Sequence, residues 1–292
     1  MLSKRARLCL GLIAVLSLLS LASSCGGPKT EEDSGGPAAK AFKPKGNEGS
    51  VTGKISYTGT APAPIKIDTS ADAACTAKSP NLTSEEWVVK DGKVANTFVY
   101  IKDGTLADNT KIGDWSFDAS SPATLDQNGC HYKPHVLGVM AKQDISITNS
   151  DPTTHNIHFT PNPAKNPDWN QSQPNGAAPL THKLNVAEVM VPVKCNQHPW
   201  MKSYVGVLKH PFFAVSSEDG SFTIKGVPPG KYTVVAWHEG GANGTEKTMQ
   251  ITVPASGAVT ADFTFGASAE LRGQPSSLQM LPAIEFPMLG RH

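Results

Sequence analysis

The sequence predicts an all-β protein built from sandwiches, and three observations lead to that prediction. Short segments in which apolar and polar residues alternate recur along the chain, among them 51–57, 97–101 and 232–237, and a period of two is typical of a strand with one buried face. Clusters of Gly, Pro, Asn and Asp separate these segments, as expected of turns. No segment shows a sustained helical period with caps, although a short helix near 84–89 stays open. The expected architecture is a Greek-key β-sandwich.

The amino-terminal segment, 1–24, is predicted to be a lipoprotein export signal. Three basic residues precede an apolar run at 8–21 that is too short to span a bilayer comfortably. The run leads into Leu-Ala-Ser-Ser-Cys, which resembles a bacterial lipobox, so Cys25 is the expected acylated residue, with simple secretion as the alternative. Segment 25–48 is rich in Gly, Pro, Lys and Glu and predicts a flexible tether. The protein is therefore expected in the cell envelope, lipid-anchored to a membrane and facing the periplasm or the exterior.

Charge balance argues against a nucleic-acid partner. The chain has 26 Lys and Arg against 25 Asp and Glu, and the signal removes three basic residues and no acidic one, so the mature count is 23 minus 25, or −2. Such a balance provides no basic face for nucleic acid. The sequence also has no Gly-x-Ser-x-Gly elbow, P-loop or dinucleotide fingerprint. Enzyme activity is not expected.

One seven-residue segment carries the most specific chemistry. Cys195, His198 and Met201 have the spacing Cys-x-x-His-x-x-Met, which places a thiolate, an imidazole and a thioether in one loop. Soft sulfur donors select copper, and Cys with two His and a weak axial Met is the donor set of mononuclear blue-copper sites. His155, on a turn directly after the alternating strand 144–148, offers the missing imidazole. The sequence predicts one copper ion held by these four residues.

Two motifs resemble those of the cupredoxins. His-Asn-x-His-Phe at 155–159 and Cys-x-x-His-Pro-aromatic-Met at 195–201 look most like the amicyanin and plastocyanin group, and the similarity covers roughly 115–210. The resemblance implies that His155, Cys195 and His198 are strong equatorial ligands and that Met201 is a weak axial one. It also implies that Asn156 ties the His155 loop to the Cys195 loop and so fixes ligand geometry.

The segment before Cys195 departs from the cupredoxin pattern, and the resemblance also implies where electrons would enter. Many cupredoxins lead into the cysteine with Gly-x-Tyr-x-Phe, whereas this chain has Pro192 in that segment, which predicts an edge strand. The imidazole edge of His198 is expected to reach the surface through an apolar rim of Pro199 and Trp200. A redox partner, a cytochrome or another envelope electron carrier, is expected to dock there.

The cysteines predict one disulfide. Cys9 lies in the signal and Cys25 is the acylation candidate, which leaves three of the five cysteines. An exported protein meets oxidising conditions, so Cys75 and Cys130 are expected to pair, and Cys195 is left for metal.

The remaining histidines, Trp200 and the segment 237–239 are also open to purely structural interpretations. His158 comes three residues after His155, so in an extended segment it is expected on the opposite face. His131 and His135 are either an accessory metal site or structural polar residues beside the disulfide. Trp200 is either a docking aromatic or a packing residue. The segment 237–239, Trp-His-Glu, is expected to be structural rather than catalytic.

A second resemblance lies on either side of the copper motifs. Segment 218–234, with its Asp-Gly and Pro-Pro-Gly turns, resembles the carboxypeptidase regulatory-like sandwich and accessory domains of rhamnogalacturonan lyases. Segments 53–59 and 94–100 resemble the first strands of the same module. The inference is a split module, 49–105 and 211–266, with the cupredoxin 106–210 inserted and a tail at 267–292. Two consecutive sandwiches that meet near His210 are the alternative.

Taken together, these patterns predict an exported, lipid-anchored blue-copper protein that carries single electrons. A copper-binding or copper-delivery protein with the same ligands but no redox traffic is one alternative. A surface module that contacts a partner or a polysaccharide is another.

Overall fold

A computed structural model describes residues 39–119, 121–241 and 244–266. The predicted signal, the acylation site at Cys25, most of the tether and the tail at 267–292 lie outside these residues. Among the described residues, no helix is long and apolar enough to cross a membrane.

Strands dominate the described chain. The strands before residue 117 are β1 (Lys40–Ala41), β2 (Gly49–Thr58), β3 (Val89–Lys90), β4 (Lys93–Val94), β5 (Phe98–Leu106) and β6 (Trp115–Ser116). The next nine are β7 (Ala123–Gln127), β8 (Tyr132–Lys133), β9 (Val136–Met140), β10 (Ile145–Asn149), β11 (His155–Phe159), β12 (Trp169–Gln173), β13 (Leu180–His182), β14 (Glu188–Lys194) and β15 (Lys202–Leu208). The last six are β16 (Phe213–Val215), β17 (Ser221–Val227), β18 (Gly230–His238), β19 (Thr245–Val253), β20 (Ala258–Thr260) and β21 (Phe263–Gly266). Helical structure in the described residues is limited to α1 (Ala73–Lys78) and a 3-10 turn at Ile112–Asp114.

The all-β prediction is confirmed, whereas the position suggested for a short helix is wrong. Residues 84–89 are not helical, and the helix lies about ten residues earlier, at α1. Its N-cap is Asp72, whose side chain accepts hydrogen bonds from the backbone N–H groups of Ala74 and Cys75. A helix of six residues is too short to show a hydrophobic period, and the cap is its only local signal.

The first sandwich consists of residues 123–208. Its two sheets have the strand orders β13-β10-β7-β8 and β12-β11-β14-β15-β9. Alternate residues of these strands, such as Ile145 and Ile147 or Val205 and Val207, point into one shared core. The core extends to Cys195 and Met201 at one end of the sandwich.

The second sandwich is assembled from both ends of the described chain. Its sheets have the strand orders β16-β5-β18-β19 and β17-β2-β4-β3, and β20 and β21 also pair with β2. The β2–β17, β5–β16 and β5–β18 pairs each join a strand before residue 107 to one after residue 212. The chain thus leaves this sandwich, forms the first one and returns. The exact domain boundaries stay a prediction.

A third apolar cluster joins the two sandwiches. It contains Phe98 from β5, Val136 from β9 and Leu208 from β15. Gly138 and Gly206 lie against the Phe98 ring, where a Cβ would come closer than normal contact distance. The backbone of the first sandwich therefore approaches the second closely, which a larger residue at either glycine would prevent.

The edge position predicted from Pro192 is wrong. β14 lies inside its sheet, between β11 and β15. It pairs with β11 only at Lys194 and Val193, and beyond that point the Thr160 N–H donates to the Pro192 carbonyl oxygen. Because the nitrogen and the carbonyl of a strand residue face the same neighbour, the proline nitrogen faces the chain where the ladder has ended. The missing N–H therefore lies where the pairing with β11 ends, and Thr160 and Pro192 share one backbone hydrogen bond instead of two.

Candidate metal centre

Adjacent strands bring the predicted ligands to one end of the first sandwich. His155 is the first residue of β11, and Cys195 follows the last residue of β14. These strands are paired at His158 and Lys194, so the two ligand segments are neighbours. The loop after Cys195 closes on itself, since the Met201 N–H donates to the His198 carbonyl and the Cys195 N–H donates to the Met201 carbonyl.

The structure brings His155, Cys195 and His198 together. One nitrogen or sulfur atom from each lies within 4.8 Å of the others. The two Nδ1 atoms are 2.9 Å apart, and the Cys195 Sγ lies 3.7 Å from the His198 Nδ1. All three side chains are buried, and so is Met201, which packs in the same core. This end of the sandwich therefore presents one thiol and two imidazole nitrogens to a common point.

A carboxylate holds the outer edge of each imidazole. The His155 Nε2 lies 2.9 Å from Asp151 Oδ2, and the His198 Nε2 lies 3.1 Å from Asp72 Oδ2. A carboxylate at neutral pH only accepts, so each Nε2 carries a proton and donates it. Both histidines thus direct Nδ1 toward the thiol, and the carboxylate–imidazole pairs resemble the outer partners that orient histidine ligands in metal sites.

Proton affinities within the cluster favour a charged pair. Burial alone raises the pKa of Cys195, but hydrogen bonds from His155 and from nearby backbone N–H groups lower it to about 6. Burial alone lowers the pKa of His155, but Asp151 and Cys195 together raise it to about 9. The contacts within the cluster therefore favour the thiolate of Cys195 and the protonated imidazole of His155, and a metal bound by both groups would displace a proton.

The donor chemistry fits copper. One thiolate and two imidazoles suit copper and zinc, and a buried thioether residue in the same loop favours copper. Met201 lies in the core beside Cys195, as its predicted role requires. That role itself stays a prediction.

Asn156 lies between the two ligand loops. Its Oδ1 accepts the backbone N–H of Asn196 at 2.7 Å and lies 3.3 Å from the Cys195 Sγ. Its Nδ2 donates to Asn170 on the neighbouring strand. The Asn156 side chain thus links the segment that carries His155 to the loop that begins at Cys195, as predicted from the sequence.

The predicted disulfide is present and lies against the site. Cys75 and Cys130 are bonded, and Cys195 is the free cysteine of the described residues. The Cys75 sulfur lies within 4.8 Å of a His198 nitrogen, and the Cys130 sulfur lies equally close to a His155 nitrogen. The disulfide therefore joins α1 to the end of the first sandwich that carries His155, Cys195 and His198, here called the metal end.

The expectation that His198 reaches the surface is wrong. Its side chain is 5 % exposed, because Asp72 and the start of α1 cover its outer edge. Trp200 is half-buried rather than freely exposed, and its Nε1 donates to the Cys130 carbonyl. It still contacts the His198 ring, with 5.1 Å between ring centroids.

The other histidines lie outside the cluster. His158 points away from it, as expected, and bonds to Asp168 and Asn196. His135 lies between Glu239 and Glu85, and His131 lies 3.0 Å from the same Glu85. The His131 and His135 side chains thus both contact Glu85, and His135 also contacts Glu239.

Residue 238 is structural in the described chain. The His238 ring is buried and stacks on Trp87 at 4.0 Å between centroids.

Sequence reasoning missed the two aspartates. Asp151 lies four residues before His155, a spacing that carries no specific signal in a turn. Asp72 could have been recognised as a helix cap, but nothing local connects it with His198.

Comparisons with known proteins give partial matches. The family model described as Polysaccharide lyase family 4, domain II matches residues 191–261, a range that begins inside the predicted cupredoxin segment. No curated protein matches the chain.

Similar solved structures include copper proteins. A copper-containing nitrite reductase from Thermus scotoductus SA-01 is 16% identical, with a TM-score of 0.28, over 32% of this chain and 24% of that chain. A purple cupredoxin from Nitrosopumilus maritimus is 20% identical, with a TM-score of 0.25, over 29% and 98%. An oxidised amicyanin variant is 16% identical, with a TM-score of 0.27, over 37% and 97%. The chain thus spans about a quarter of the length of the nitrite reductase.

Proposed function

We propose that this protein binds one copper ion through His155, Cys195 and His198, with Met201 as a weak fourth ligand, and carries single electrons. The observation that carries the proposal is the convergence of one buried thiol and two imidazole nitrogens within 4.8 Å. Two imidazoles, one thiolate and a nearby thioether form the donor set of blue-copper electron-transfer sites.

The side chains of the site would bind copper, and their burial limits access to it. Bound copper would supply a one-electron couple. Cys195, with a pKa of about 6, provides a thiolate at neutral pH without a strong base. The buried ligands keep water and substrates from the site, which suits electron transfer rather than catalysis at an open metal position.

We also propose that the carrier works outside the cytoplasm, tethered through Cys25, and exchanges electrons with a cytochrome or a similar envelope protein. The Cys75–Cys130 disulfide supports an oxidising compartment, because such bonds form and persist there. The strand pairs that join residues before 107 to residues after 212 support a second sandwich split by the copper domain.

A second candidate is a copper-holding protein without redox traffic. The buried edge of His198 favours it, because a covered ligand offers a poor contact for a redox partner. The rate of electron self-exchange, measured by NMR line broadening in mixed Cu(I) and Cu(II) samples, separates the two functions. A carrier is expected to exchange rapidly, and a holding protein slowly.

A Cu(II) titration followed by visible absorption tests the proposal. The wild-type protein is expected to bind one equivalent with an intense thiolate-to-copper band, and Cys195→Ala is expected to lose both the band and stoichiometric binding. His155→Gln should weaken binding strongly. His158→Gln is the matched control, because it removes a histidine from the other face of the same strand. Undiminished blue absorption in Cys195→Ala would refute the proposal.

A further inference from the structure

A segment of the second sandwich reaches over the metal end of the first. This segment, residues 59–88 between β2 and β3, is here called the strap. The Cys75–Cys130 disulfide fixes it to the first sandwich. Nearby, Lys78 donates to the Ser150 carbonyl at 2.9 Å and Ser79 donates to the Gly129 carbonyl at 2.9 Å. The strap is therefore anchored beside the ligand loops.

The strap places one carboxylate against a ligand histidine. Asp72 Oδ1 accepts the N–H groups of Ala74 and Cys75 at 2.8 and 3.0 Å and so caps α1. Its Oδ2 accepts from His198 Nε2 at 3.1 Å and from Thr153 at 2.8 Å. One carboxylate oxygen thus caps the helix, and the other accepts the hydrogen bond from His198. The cap and the disulfide hold the carboxylate in place before any metal binds.

We propose that Asp72 is a positioning residue of the metal centre, which orients His198 and strengthens its hold on Cu(II). The proposal rests on the proposed copper function. A carboxylate at Nε2 fixes the ring with Nδ1 toward Cys195 and makes the imidazole a stronger donor. Its negative charge, on a side chain that is 19 % exposed, also favours Cu(II) over Cu(I). The site is incomplete without this residue of the other sandwich.

Three variants separate this role from simple helix capping. Asp72→Ser keeps a good N-cap, but its shorter side chain does not reach His198. Asp72→Asn keeps the cap and a neutral acceptor. Asp68→Asn is the control, because it removes the same charge from an exposed residue of the strap whose carboxylate bonds to the Ser70 N–H.

The measurements are Cu(II) affinity by competition with a chelator, reduction potential by titration, and thermal unfolding of the metal-free forms. Asp72→Ser is expected to weaken Cu(II) binding by about 10- to 100-fold and to raise the reduction potential while keeping the thiolate-to-copper band. Asp72→Asn should show a smaller change in the same direction. Asp68→Asn should match the wild type.

Two results would overturn the inference, and they are distinguishable. If Asp72→Ser leaves affinity and potential at wild-type values, Asp72 is a helix cap alone. If the wild-type protein binds no stoichiometric copper, the proposed function fails together with this inference.

Discussion

Cys195 illustrates how neighbours set the chemistry of a single buried residue. Burial favours its neutral thiol, yet His155 and the backbone N–H groups around it lower its pKa to about 6. Burial alone lowers the pKa of His155, but Asp151 and Cys195 raise it to about 9. Each group thus stabilises the charge of the other. The result is a buried sulfur whose thiolate form is favoured at the point where the two imidazoles meet.

Met201 is the residue for which a substitution is most informative. Met201→Leu is expected to keep the blue absorption and to raise the reduction potential, because loss of a weak axial donor destabilises Cu(II) relative to Cu(I). Cyclic voltammetry measures the change. Met140→Leu is the control, since Met140 is a buried methionine of β9 in the same sandwich. Equal potentials in the wild type and Met201→Leu would mean that Met201 only packs.

At the scale of elements, the disulfide that anchors the strap is expected to contribute to the stability of the fold. Replacing Cys75 and Cys130 together with Ser is expected to lower the free energy of unfolding by about 4 kcal/mol, because the loop that the bond closes in the unfolded chain is long. The two cysteines are 55 residues apart. Ser79→Ala, which removes one hydrogen bond between the strap and Gly129, should cost only about 1 kcal/mol. Urea unfolding measures both effects.

Thiol counting provides the check on that prediction. If the signal is removed and Cys25 is acylated as proposed, the wild-type chain, unfolded without reductant and without metal, should show one reactive thiol, and that thiol should map to Cys195. Three reactive thiols would contradict the pairing.

At the scale of the whole molecule, an ion network links both sandwiches and the strap. His135 in the first sandwich lies between Glu85 of the strap and Glu239, which follows β18 of the second sandwich. Burial alone lowers the pKa of His135, but the two carboxylates raise it to about 9. Burial alone raises the pKa of Glu85, but His131 and His135 lower it to about 2.

The network predicts a pH-dependent stability. Because the pKa of His135 is raised in the folded state, its contribution is complete below about pH 6.5 and is lost as pH rises through about 9. Because the pKa of Glu85 is lowered, its contribution is present above about pH 4.5 and is lost as pH falls through about 2. The difference in melting temperature between wild type and His135→Gln should therefore be largest between pH 4.5 and 6.5.

Calorimetry from pH 4.5 to 10 measures that difference. His182→Gln is the control with the opposite trend, since burial lowers the pKa of His182 and its contribution should increase with pH. A difference for His135→Gln that stays constant from pH 5 to pH 10 would contradict the assigned role.

The close approach of the sandwiches predicts a cost for one added methyl group. Gly206→Ala would place a Cβ against the Phe98 ring, which is fully buried in the shared cluster. The expected loss in the free energy of unfolding is about 1–3 kcal/mol. Gly113→Ala is the matched control, because no heavy atom lies within 4 Å of the added Cβ. Chemical denaturation compares the variants, and equal losses in both would mean that the sandwiches can separate to make room.

The sequence by itself determined the properties that local patterns encode. Alternation with a period of two predicted the strands, because each strand buries one face. The spacing of Cys195, His198 and Met201 predicted a common loop, because seven residues in a turn cannot lie far apart. The turn that carries His155 follows a predicted strand, so its place at the sandwich end was also accessible.

Only the tertiary structure decided which distant residues surround that loop. Asp72 contacts His198 across 126 residues of sequence, and no local pattern encodes which segment will cover a ligand. Pro192 indicated an edge strand because proline lacks the N–H that a central strand uses. Only the structure shows that its nitrogen faces the place where the pairing with β11 ends. The burial of His198 has the same origin, since exposure is decided by every segment that packs against a side chain. Such contacts are set by the packing of whole sandwiches, and that packing is a property of the complete chain.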